Sequence, residues 1–324
     1  MKTLALFSSK GGVGRTSIAY HLGFMFAELG RRVLLADLDP QANLSEMCLP
    51  EHRLDAIWTH RSPCTIAGAI DRLRRGAGDI EPAELESVTD KIALVPGDLQ
   101  LSDFEDDLAQ QWAACLAPNE RAFRVTTALY RVVMDAGTRS GADLAIVDLA
   151  PNFGAINRAA LIAADYVIVP VVPDPMSLRG LENVGRRVAA SRREWADRLA
   201  SAPRLDFELP AGKMTPLGYV VARHQTYMGR PLTTAQHWIE RMPVVFRQSF
   251  ELPEQAGLDG TSDVYRLAQL RDYRSLMPMA LEAKHPMFLL KPADGAIGAF
   301  QRAVHEAYAE YRALAETVLG RISG

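Results

Sequence analysis

The sequence lacks the features of a membrane-spanning or exported protein. It contains no run of about 18 or more apolar residues, which argues against a membrane-spanning helix. The N-terminus enters a short apolar run directly, without the basic, apolar and small-residue order of a signal peptide. The three cysteines, Cys48, Cys64 and Cys115, are widely spaced and form no metal-binding or redox motif. We therefore expect a cytoplasmic protein.

The chain also lacks an excess of basic charge. Its 324 residues carry a formal net charge of −3, which excludes a globally basic protein but leaves room for a local basic face. Lysine is scarce, because only six of the 36 basic residues are lysine and the others are arginine. The sequence shows no internal repeat and no low-complexity tract. With 48% apolar residues, the chain is long enough to bury a substantial core.

Short apolar runs alternate with helical stretches, which is typical of an α/β fold with a mainly parallel sheet covered by helices on both faces. Two of the runs are almost entirely apolar, as expected for strands buried on both sides. We predict one domain over residues 1–324, with a divergent region from about 226 to 324. The predicted strands are Thr3–Ser8, Arg32–Ala36, Ile92–Val95, Leu144–Asp148, Tyr166–Val171 and Leu217–Val221, and the predicted helices include Thr16–Leu29, Arg179–Arg198 and Ile297–Ile322.

A glycine-rich segment, Ser8–Ser17, lies between the first predicted strand and the first predicted helix. Three glycines within four residues let backbone N–H groups turn around an anion at a helix N-terminus, as in a phosphate-binding loop. Thr16 is placed to offer its hydroxyl to a magnesium ion. Arg15 stands where such a loop has a lysine. An arginine keeps the positive charge and can form a two-pronged contact with phosphate oxygens, but it is bulkier than lysine.

Two predicted strands are followed by acids at their carboxyl ends. The first leads into Asp37 and Asp39, and the second ends in Asp148. Ligands bind at this edge of an open α/β sheet, where one carboxylate can hold magnesium through water and another can orient an attacking water. The alternative for each acid is an ordinary strand-end residue or helix cap. A further acidic cluster, residues 103–107, is interpreted as a helix start or a solvated face.

These segments resemble the ParA/MinD family of P-loop ATPases, the deviant Walker A group with the loop pattern KGGxGK[ST]. Lys10 matches the signature lysine of that pattern, and Asp39 lies 24 residues after Arg15, the spacing expected in the family. The resemblance covers about residues 1–225 and then fades. The segments that carry it, in the order of the family, are Lys10–Ser17, Asp37–Asn43, Leu94–Leu99, Asp148–Gly154 and Ala164–Val171.

The resemblance implies a P-loop NTPase-type sheet, ATP and Mg²⁺ as cofactors, and an ATP-dependent homodimer with nucleotide at its interface. Lys10 would cross to the phosphates of the partner, and Asp39 would position the hydrolytic water. No adenine-side segment is clear around Val244–Arg247, so the base contacts stay open. The implied nucleotide-binding residues are Lys10, Gly11, Gly12, Val13, Gly14, Arg15, Thr16 and Ser17, the catalytic residues are Lys10 and Asp39, and the metal-side residues are Thr16, Asp37 and Asp148.

In function, the resemblance implies an ATPase that segregates DNA or positions intracellular cargo together with an unidentified partner or activator protein. An arginine-rich surface is a candidate for non-specific DNA binding, with a solvated helix face as the alternative. Membrane binding is not expected, because the last helix carries few basic residues. Two other readings stay open: a regulatory or scaffold subunit that binds ATP with little hydrolysis, and a metabolic ATP-dependent enzyme. The candidate arginines are Arg179, Arg186, Arg187, Arg192, Arg193, Arg198, Arg223, Arg230, Arg241 and Arg247.

Overall fold

The computed structural model describes residues 1–59, 64–224, 226–227, 230–231, 233–253, 263–273 and 275–323. Its strands are β1 (Lys2–Leu6), β2 (Val33–Asp37), β3 (Glu86–Ser87), β4 (Ile92–Val95), β5 (Leu144–Asp148), β6 (Tyr166–Val171), β7 (Thr215–His224), β8 (Thr226–Tyr227), β9 (Arg230–Pro231) and β10 (Arg266–Arg271). Eight of them form one sheet in the order β10-β7-β6-β1-β5-β2-β4-β3. All neighbours in this sheet run parallel except β3, which is antiparallel to β4. Strands β8 and β9 pair separately.

Helices connect the parallel strands and lie on both faces of the sheet. They are α1 (Arg15–Glu28), α2 (Asn43–Cys48), α3 (Glu51–Thr59), α4 (Ile66–Arg74), α5 (Glu105–Ala114), α6 (Glu120–Thr126), α7 (Ala128–Ser140), α8 (Ala155–Ile162), α9 (Pro175–Ala200), α10 (Thr233–Ser249), α11 (Met277–Ala283) and α12 (Ala299–Ser323). Short 3₁₀ helices span Leu99–Phe104, Met287–Leu289 and Pro292–Asp294. Within the described ranges, no helix is long and apolar enough to cross a membrane.

The sheet separates two hydrophobic cores. Along β1, Leu4 and Leu6 face the core beneath α1, α2, α3, α11 and α12, whereas Ala5 and the following Phe7 face the core beneath α4 to α10. This alternation follows from the two-residue period of a strand. The α/β fold with a mainly parallel sheet covered on both faces is therefore confirmed.

Helix α1 is held tightly between the sheet and α12. A Cβ atom added at Gly23 would lie 2.8 Å from a methyl carbon of Leu35 on β2, so only glycine permits this close approach. On the opposite side of α1, the ring of His21 stacks on Tyr311 of α12 with centroids 5.0 Å apart. The loop that precedes α1 is thus anchored to a rigid element.

Three predicted strands agree with the structure in full, one ends earlier than predicted, and two strands of the sheet were not predicted. Ile92–Val95, Leu144–Asp148 and Tyr166–Val171 match β4, β5 and β6 residue for residue. The predicted strand Thr3–Ser8 ends instead at Leu6, since Ser8 belongs to the glycine-rich loop. Strands β3 and β10 were not predicted, because β3 is two residues long and β10 is an edge strand with polar and charged residues.

Candidate functional site

The glycine-rich segment forms a loop between β1 and the N-terminus of α1. Gly12 and Gly14 have φ angles of +72° and +84°, a backbone conformation that residues with a Cβ atom adopt rarely. Gly14 is the N-cap of α1, which begins at Arg15 rather than at the predicted Thr16. The loop therefore presents its backbone to an open cavity at a helix N-terminus, where an anion is favoured.

The register of the sheet brings the strand-end acids to this loop. Strand β5 lies between β1 and β2, and Asp148 pairs in register with Leu6 on one side and with Asp37 on the other. Asp39 follows two residues after the end of β2. All three carboxylates are buried, with exposed fractions of at most 3%. Acids from two separate segments thus lie together at the carboxyl end of the sheet, beside the loop.

Arg15 points toward these acids. Its Nε donates to Asp148 Oδ1 at 3.3 Å, and its Nη2 donates to Asp39 Oδ2 at 3.2 Å. Its Nη1 donates to the carbonyl oxygen of Ser8 at 3.4 Å. The guanidinium group is buried and joins the loop to both strand-end acids. The two-pronged contact expected with phosphate is made here with carboxylates.

Asp148 has the donor set that a magnesium ion prefers. Burial raises its pKa to about 6, and the positive charge of Arg15 opposes that rise. Its Oδ2 atom is buried and has no hydrogen-bond partner among the described residues. Within the same ranges, no group of three or more acidic, histidine or cysteine side chains forms a metal site. The Thr16 hydroxyl lies close enough to Asp148 to lower its pKa through a hydrogen bond. Magnesium usually takes one or two carboxylates together with substrate phosphates, so Asp148 and this hydroxyl fit the ion.

Asp37 is bound to its neighbours. Its Oδ2 accepts hydrogen bonds from the backbone N–H and the hydroxyl of Ser45, both at 2.8 Å. Its Oδ1 accepts from the N–H of Asp39 at 3.3 Å. Burial and then the negative charge of Asp148 raise the pKa of Asp37 to about 8. The metal role implied for Asp37 stays a prediction, whereas its link between β2 and α2 is seen directly.

Lys10, the signature lysine, contacts an acid of its own chain. Its Nζ forms an ion pair with Asp174, the residue that also caps α9 by accepting from the N–H of Ser177 at 2.7 Å. Both side chains are about one third exposed. Both cations of the loop, Lys10 and Arg15, are therefore paired with acids of other segments.

Two connected cavities lie along the loop. The first, of about 630 Å³, contacts the loop from Gly11 to Ser17 together with Asp39 and Lys284. The second, of about 370 Å³, lies toward the C-terminal region and is lined mainly by apolar residues such as Ile18, Leu270 and Met287. Gly14, Ser17, Met277 and Leu281 border both cavities. The two cavities therefore adjoin, with a polar side at the loop and a mainly apolar side beyond it.

Asn157 is a site residue that the motifs did not identify. It is buried in α8, and its Nδ2 donates to the carbonyl oxygens of Ala150 and Asn152 at 2.7 and 2.8 Å. It thereby holds the loop that follows Asp148. One signal was available in the sequence, since Asn157 interrupts an otherwise apolar helix face.

Most arginines of α9 have partners within the chain. Arg186 and Arg193 form ion pairs with Glu182 and Glu251. Arg192 donates to the carbonyl oxygen of Met214, and Arg198 is buried against Trp112. The remaining helix members are Arg187, which lies 3.9 Å from Glu194, and the exposed Arg179. The side chains of Arg223 and Arg230 lie outside the described part of the chain, and Arg241 lies over the ring of Trp238.

Comparison with known proteins places this site in a family context. Residues 1–200 match the family model of an AAA domain. The chain is 30% identical over 198 residues to the protein IncC of Escherichia coli, a match that covers 60% of this chain and 47% of IncC. It is 29% identical over 192 residues to pGP5-D of Chlamydia psittaci, a virulence plasmid ParA family protein, which covers 57% of this chain and 62% of pGP5-D. The chain thus spans about half to three fifths of these curated relatives.

The fold agrees with that of a solved structure. An ATP complex of a McdA variant from Cyanothece superposes with a TM-score of 0.67 at 19% sequence identity, over 100% of this chain and 96% of that chain. At this identity the match shows the shared fold. The ATP in that complex is a property of McdA.

Proposed function

The chain belongs to the ParA/MinD family of P-loop ATPases, and on that premise we propose that it binds ATP with Mg²⁺ and closes into a nucleotide sandwich dimer. ATP hydrolysis by this dimer drives DNA segregation or the positioning of intracellular cargo. The plasmid-related relatives support the cargo class.

One observation carries the proposal. Arg15 at the start of α1 contacts both Asp39 and Asp148, at 3.2 and 3.3 Å, so the phosphate-binding loop and the two strand-end acids form a single site. These motifs lie far apart in the sequence. If each resembled the family pattern only by chance, there would be no reason for their side chains to meet at one site. The large cavity on the loop gives the site room for a polyphosphate.

Each residue of the site has a defined task in this proposal. Backbone N–H groups of the loop hold the phosphates, as the left-handed conformations of Gly12 and Gly14 favour. Thr16 and Asp148 hold the magnesium ion, which neutralises phosphate charge when bound. Asp39 orients the attacking water from the wall of the first cavity.

We place the nucleobase in the second cavity. It adjoins the loop through Gly14 and Ser17, and its apolar lining suits a flat aromatic base. The lining comes from α1 and β7 on one side and from the end of β10, α11 and α12 on the other, so the C-terminal region supplies much of the base side of the site. The segment Val244–Arg247, which the sequence left open as an adenine-side segment, is not part of this cavity. Its residue Phe246 is buried in the core that α10 covers.

The surface around Lys10 suits a second copy of the chain. Met176 and Phe153 are 65% and 39% exposed. Met176 lies two residues after Asp174, the partner of Lys10, and Phe153 lies in the loop after Asp148. Exposed apolar side chains bordered by polar and charged residues are typical of protein–protein interfaces. Lys10 lies at this surface and is available to a nucleotide in the facing subunit once it leaves Asp174.

The alternative of a nucleotide-gated regulatory subunit is favoured by one observation. Arg15 is bound to Asp39, the residue that is to orient water, which slows hydrolysis if the contact persists with nucleotide. In that case the chain binds ATP, dimerises and recruits a partner protein with little turnover.

Mass measurements and turnover distinguish these functions. Light scattering after size exclusion is expected to show a dimer with a non-hydrolysable ATP analogue and a monomer with ADP, and Lys10→Ala is expected to stay monomeric with both. Phosphate release that rises on addition of duplex DNA supports the cargo-positioning ATPase. Dimer formation with negligible phosphate release supports the regulatory subunit. Absence of nucleotide binding contradicts both.

Arg15→Lys is expected to raise the ATPase rate. A lysine ammonium has a single nitrogen and cannot pair with Asp39 and Asp148 through separate nitrogens, so it leaves Asp39 for the phosphates more readily than the arginine fork does. Asp39 is then free to act on water in a larger share of the nucleotide-loaded sites. We expect roughly a tenfold increase in kcat, equivalent to about 1.4 kcal/mol of barrier. An unchanged or lower kcat, with nucleotide binding intact, shows that the site is adapted to arginine.

A further inference from the structure

Arg15 occupies a position that a lysine cannot fill in the same way. Three separate nitrogens of its guanidinium group donate to three acceptors, two of them carboxylates from different segments of the chain, Asp148 at the end of β5 and Asp39 just after β2. A fixed planar fork makes such a bridge possible, whereas an ammonium is a point charge. Arg15 therefore links the two acids through direct hydrogen bonds.

The acids need a positive partner in this environment. Asp39 and Asp148 are 3% and 0% exposed, and buried carboxylates without a counter-ion are costly. Arg15 itself is only 8% exposed, so water cannot screen it from a second cation placed beside the same oxygens. A divalent cation at Asp148 and the guanidinium group in its present position thus repel each other.

We propose that Arg15 is a positioning residue that serves as the counter-ion of Asp39 and Asp148 in the nucleotide-free protein and is exchanged there for a divalent cation when nucleotide binds. The inference rests on the proposed function in taking a nucleoside triphosphate as the ligand of the loop.

The cavity explains how the exchange is driven. Arg15 borders the same 630 Å³ space as Gly12 and Gly14, so a polyphosphate there offers its fork a two-pronged contact in place of one contact to each carboxylate. As Arg15 turns toward the phosphates, the acids lose their counter-ion, and Asp148, whose Oδ2 has no hydrogen-bond partner among the described residues, becomes available to a metal ion. Metal without nucleotide is excluded, and metal with nucleotide is admitted.

Mn²⁺ binding measured by electron paramagnetic resonance tests the exchange without any need for turnover. Wild-type protein without nucleotide is expected to bind Mn²⁺ weakly. Arg15→Gln removes the charge and is expected to bind Mn²⁺ about tenfold more tightly or better, equivalent to about 1.4 kcal/mol. The double variant with Asp148→Asn is expected to lose this gain. Arg312→Gln, at an exposed ion pair on α12, is the matched control and is expected to behave as wild type.

The experiment has clear contrary outcomes. Mn²⁺ that binds nucleotide-free wild type as tightly as Arg15→Gln overturns the proposal. Circular dichroism checks that Arg15→Gln is folded, and Arg15→Lys is the substitute if it is not. Its expected gain is about threefold, because an ammonium is a point charge without the planar fork and holds the two acids less firmly. Equal Mn²⁺ affinity of Arg15→Lys and wild type also overturns it. A wild type that binds no ATP analogue contradicts the proposed function, while the Mn²⁺ comparison still decides the role of Arg15.

Discussion

At the scale of single residues, the site is held in a self-neutralised state. Each loop cation is paired with acids from outside the loop: Lys10 with Asp174, and Arg15 with Asp39 and Asp148. Under the proposed function, both cations must change partners before a dimer with nucleotide forms. Part of the free energy of nucleotide binding is therefore used to break these ion pairs.

Asp174→Asn tests the pair made by Lys10. Asparagine caps a helix as well as aspartate does, so α9 keeps its N-cap while the ion pair is lost. Because the pair is about one third exposed, its strength is modest, and we expect half-maximal dimerisation at an ATP analogue concentration about threefold lower. Asp135→Asn, which removes an exposed ion pair on α7, is the control. An unchanged or higher concentration for Asp174→Asn argues against the pair as a restraint on Lys10.

A second residue, His21, links α1 to the C-terminal region in its neutral form. Its Nδ1 donates to the carbonyl oxygen of Ser17 at 2.6 Å, and its Nε2 accepts from the N–H of Met287 at 3.1 Å. A protonated ring would present an N–H to the N–H of Met287 and lose that bond. Burial accordingly lowers the pKa of His21 to about 4.

The stability of the protein should therefore depend on pH through His21. The unfolded chain takes up this proton near pH 6.5, before the folded chain does, so stability falls as the pH decreases from there toward 4. From pH 7 to pH 5 we expect His21 to account for about 2 kcal/mol of the loss in free energy of unfolding. Urea titrations of wild type and His21→Gln measure it. A loss equally steep in both proteins contradicts the assignment, and His52→Gln, at an exposed position on α3, should match wild type.

At the scale of elements, α5 fixes the start of α8. Glu105, in the first turn of α5, accepts hydrogen bonds from the N–H groups of Ala155 and of Ile156, the latter at 3.0 Å. These groups belong to the first turn of α8, directly after the loop that leaves Asp148. A carboxylate at a helix N-terminus is also favoured by the helix dipole. The position of the loop thus depends on a neighbouring helix.

Glu105→Gln should weaken this connection. The amide keeps an acceptor but loses the charge, and hydrogen bonds to charged groups contribute about 1.5–3 kcal/mol, so we expect the free energy of unfolding to fall by about 1–2 kcal/mol. Asp106→Asn removes a charge from the same turn of α5 at an exposed position and is the matched control. Denaturant unfolding compares the two. If both substitutions lower the free energy of unfolding equally, the loss comes from the charge at the N-terminus of α5 and not from the hydrogen bonds to α8.

The elements also show how far the sequence could predict the molecule. Strands β5 and β6 were predicted in full because runs of apolar residues reflect burial on both faces. Strand β10 was missed because an edge strand buries only part of its side chains, so Arg266 and Gln269 interrupt its pattern. Glu105 was interpreted as part of a helix start or solvated face, since its partners lie 50 residues away.

The same limit applies within the site. The loop motif is local and placed the glycines correctly between β1 and α1, whereas Thr16 lies in the first turn of α1. The direction of Arg15 depends on acids 24 and 133 residues away, and a local pattern contains no information about that choice. The predicted motifs brought the right segments together, while the side-chain contacts between them required the structure.

At the scale of the whole molecule, the region in which the family resemblance fades belongs to the same framework as the loop. Strand β10 extends the sheet beside β7, and α12 packs on α1. Together with α11 they line the second cavity. Sequence differences from the family after residue 225 therefore change the lining of the cavity beside the loop as well as the outer surface.

The charge of the whole molecule bears on DNA binding. With a net charge of −3 and most α9 arginines paired internally, the chain presents few free cations on this helix to phosphate groups. Binding of DNA through α9 requires either that these pairs open or that two copies of the surface act together. The number of phosphate contacts can be measured from the salt dependence of binding. Each contact releases counter-ions and steepens the slope of log affinity against log salt concentration by about 0.9.

Glu182→Gln combined with Glu251→Gln frees Arg186 and Arg193 without altering either arginine. If α9 is the DNA surface, the ATP-loaded variant should bind labelled duplex more tightly, with a salt slope steeper by about one unit for each arginine that gains a phosphate. Fluorescence anisotropy at several salt concentrations measures both quantities. Glu316→Gln frees Arg312 on α12 and should leave the slope unchanged. Equal slopes for the double variant and wild type place any DNA contact on another face, because α9 would then gain free cations without gaining phosphates.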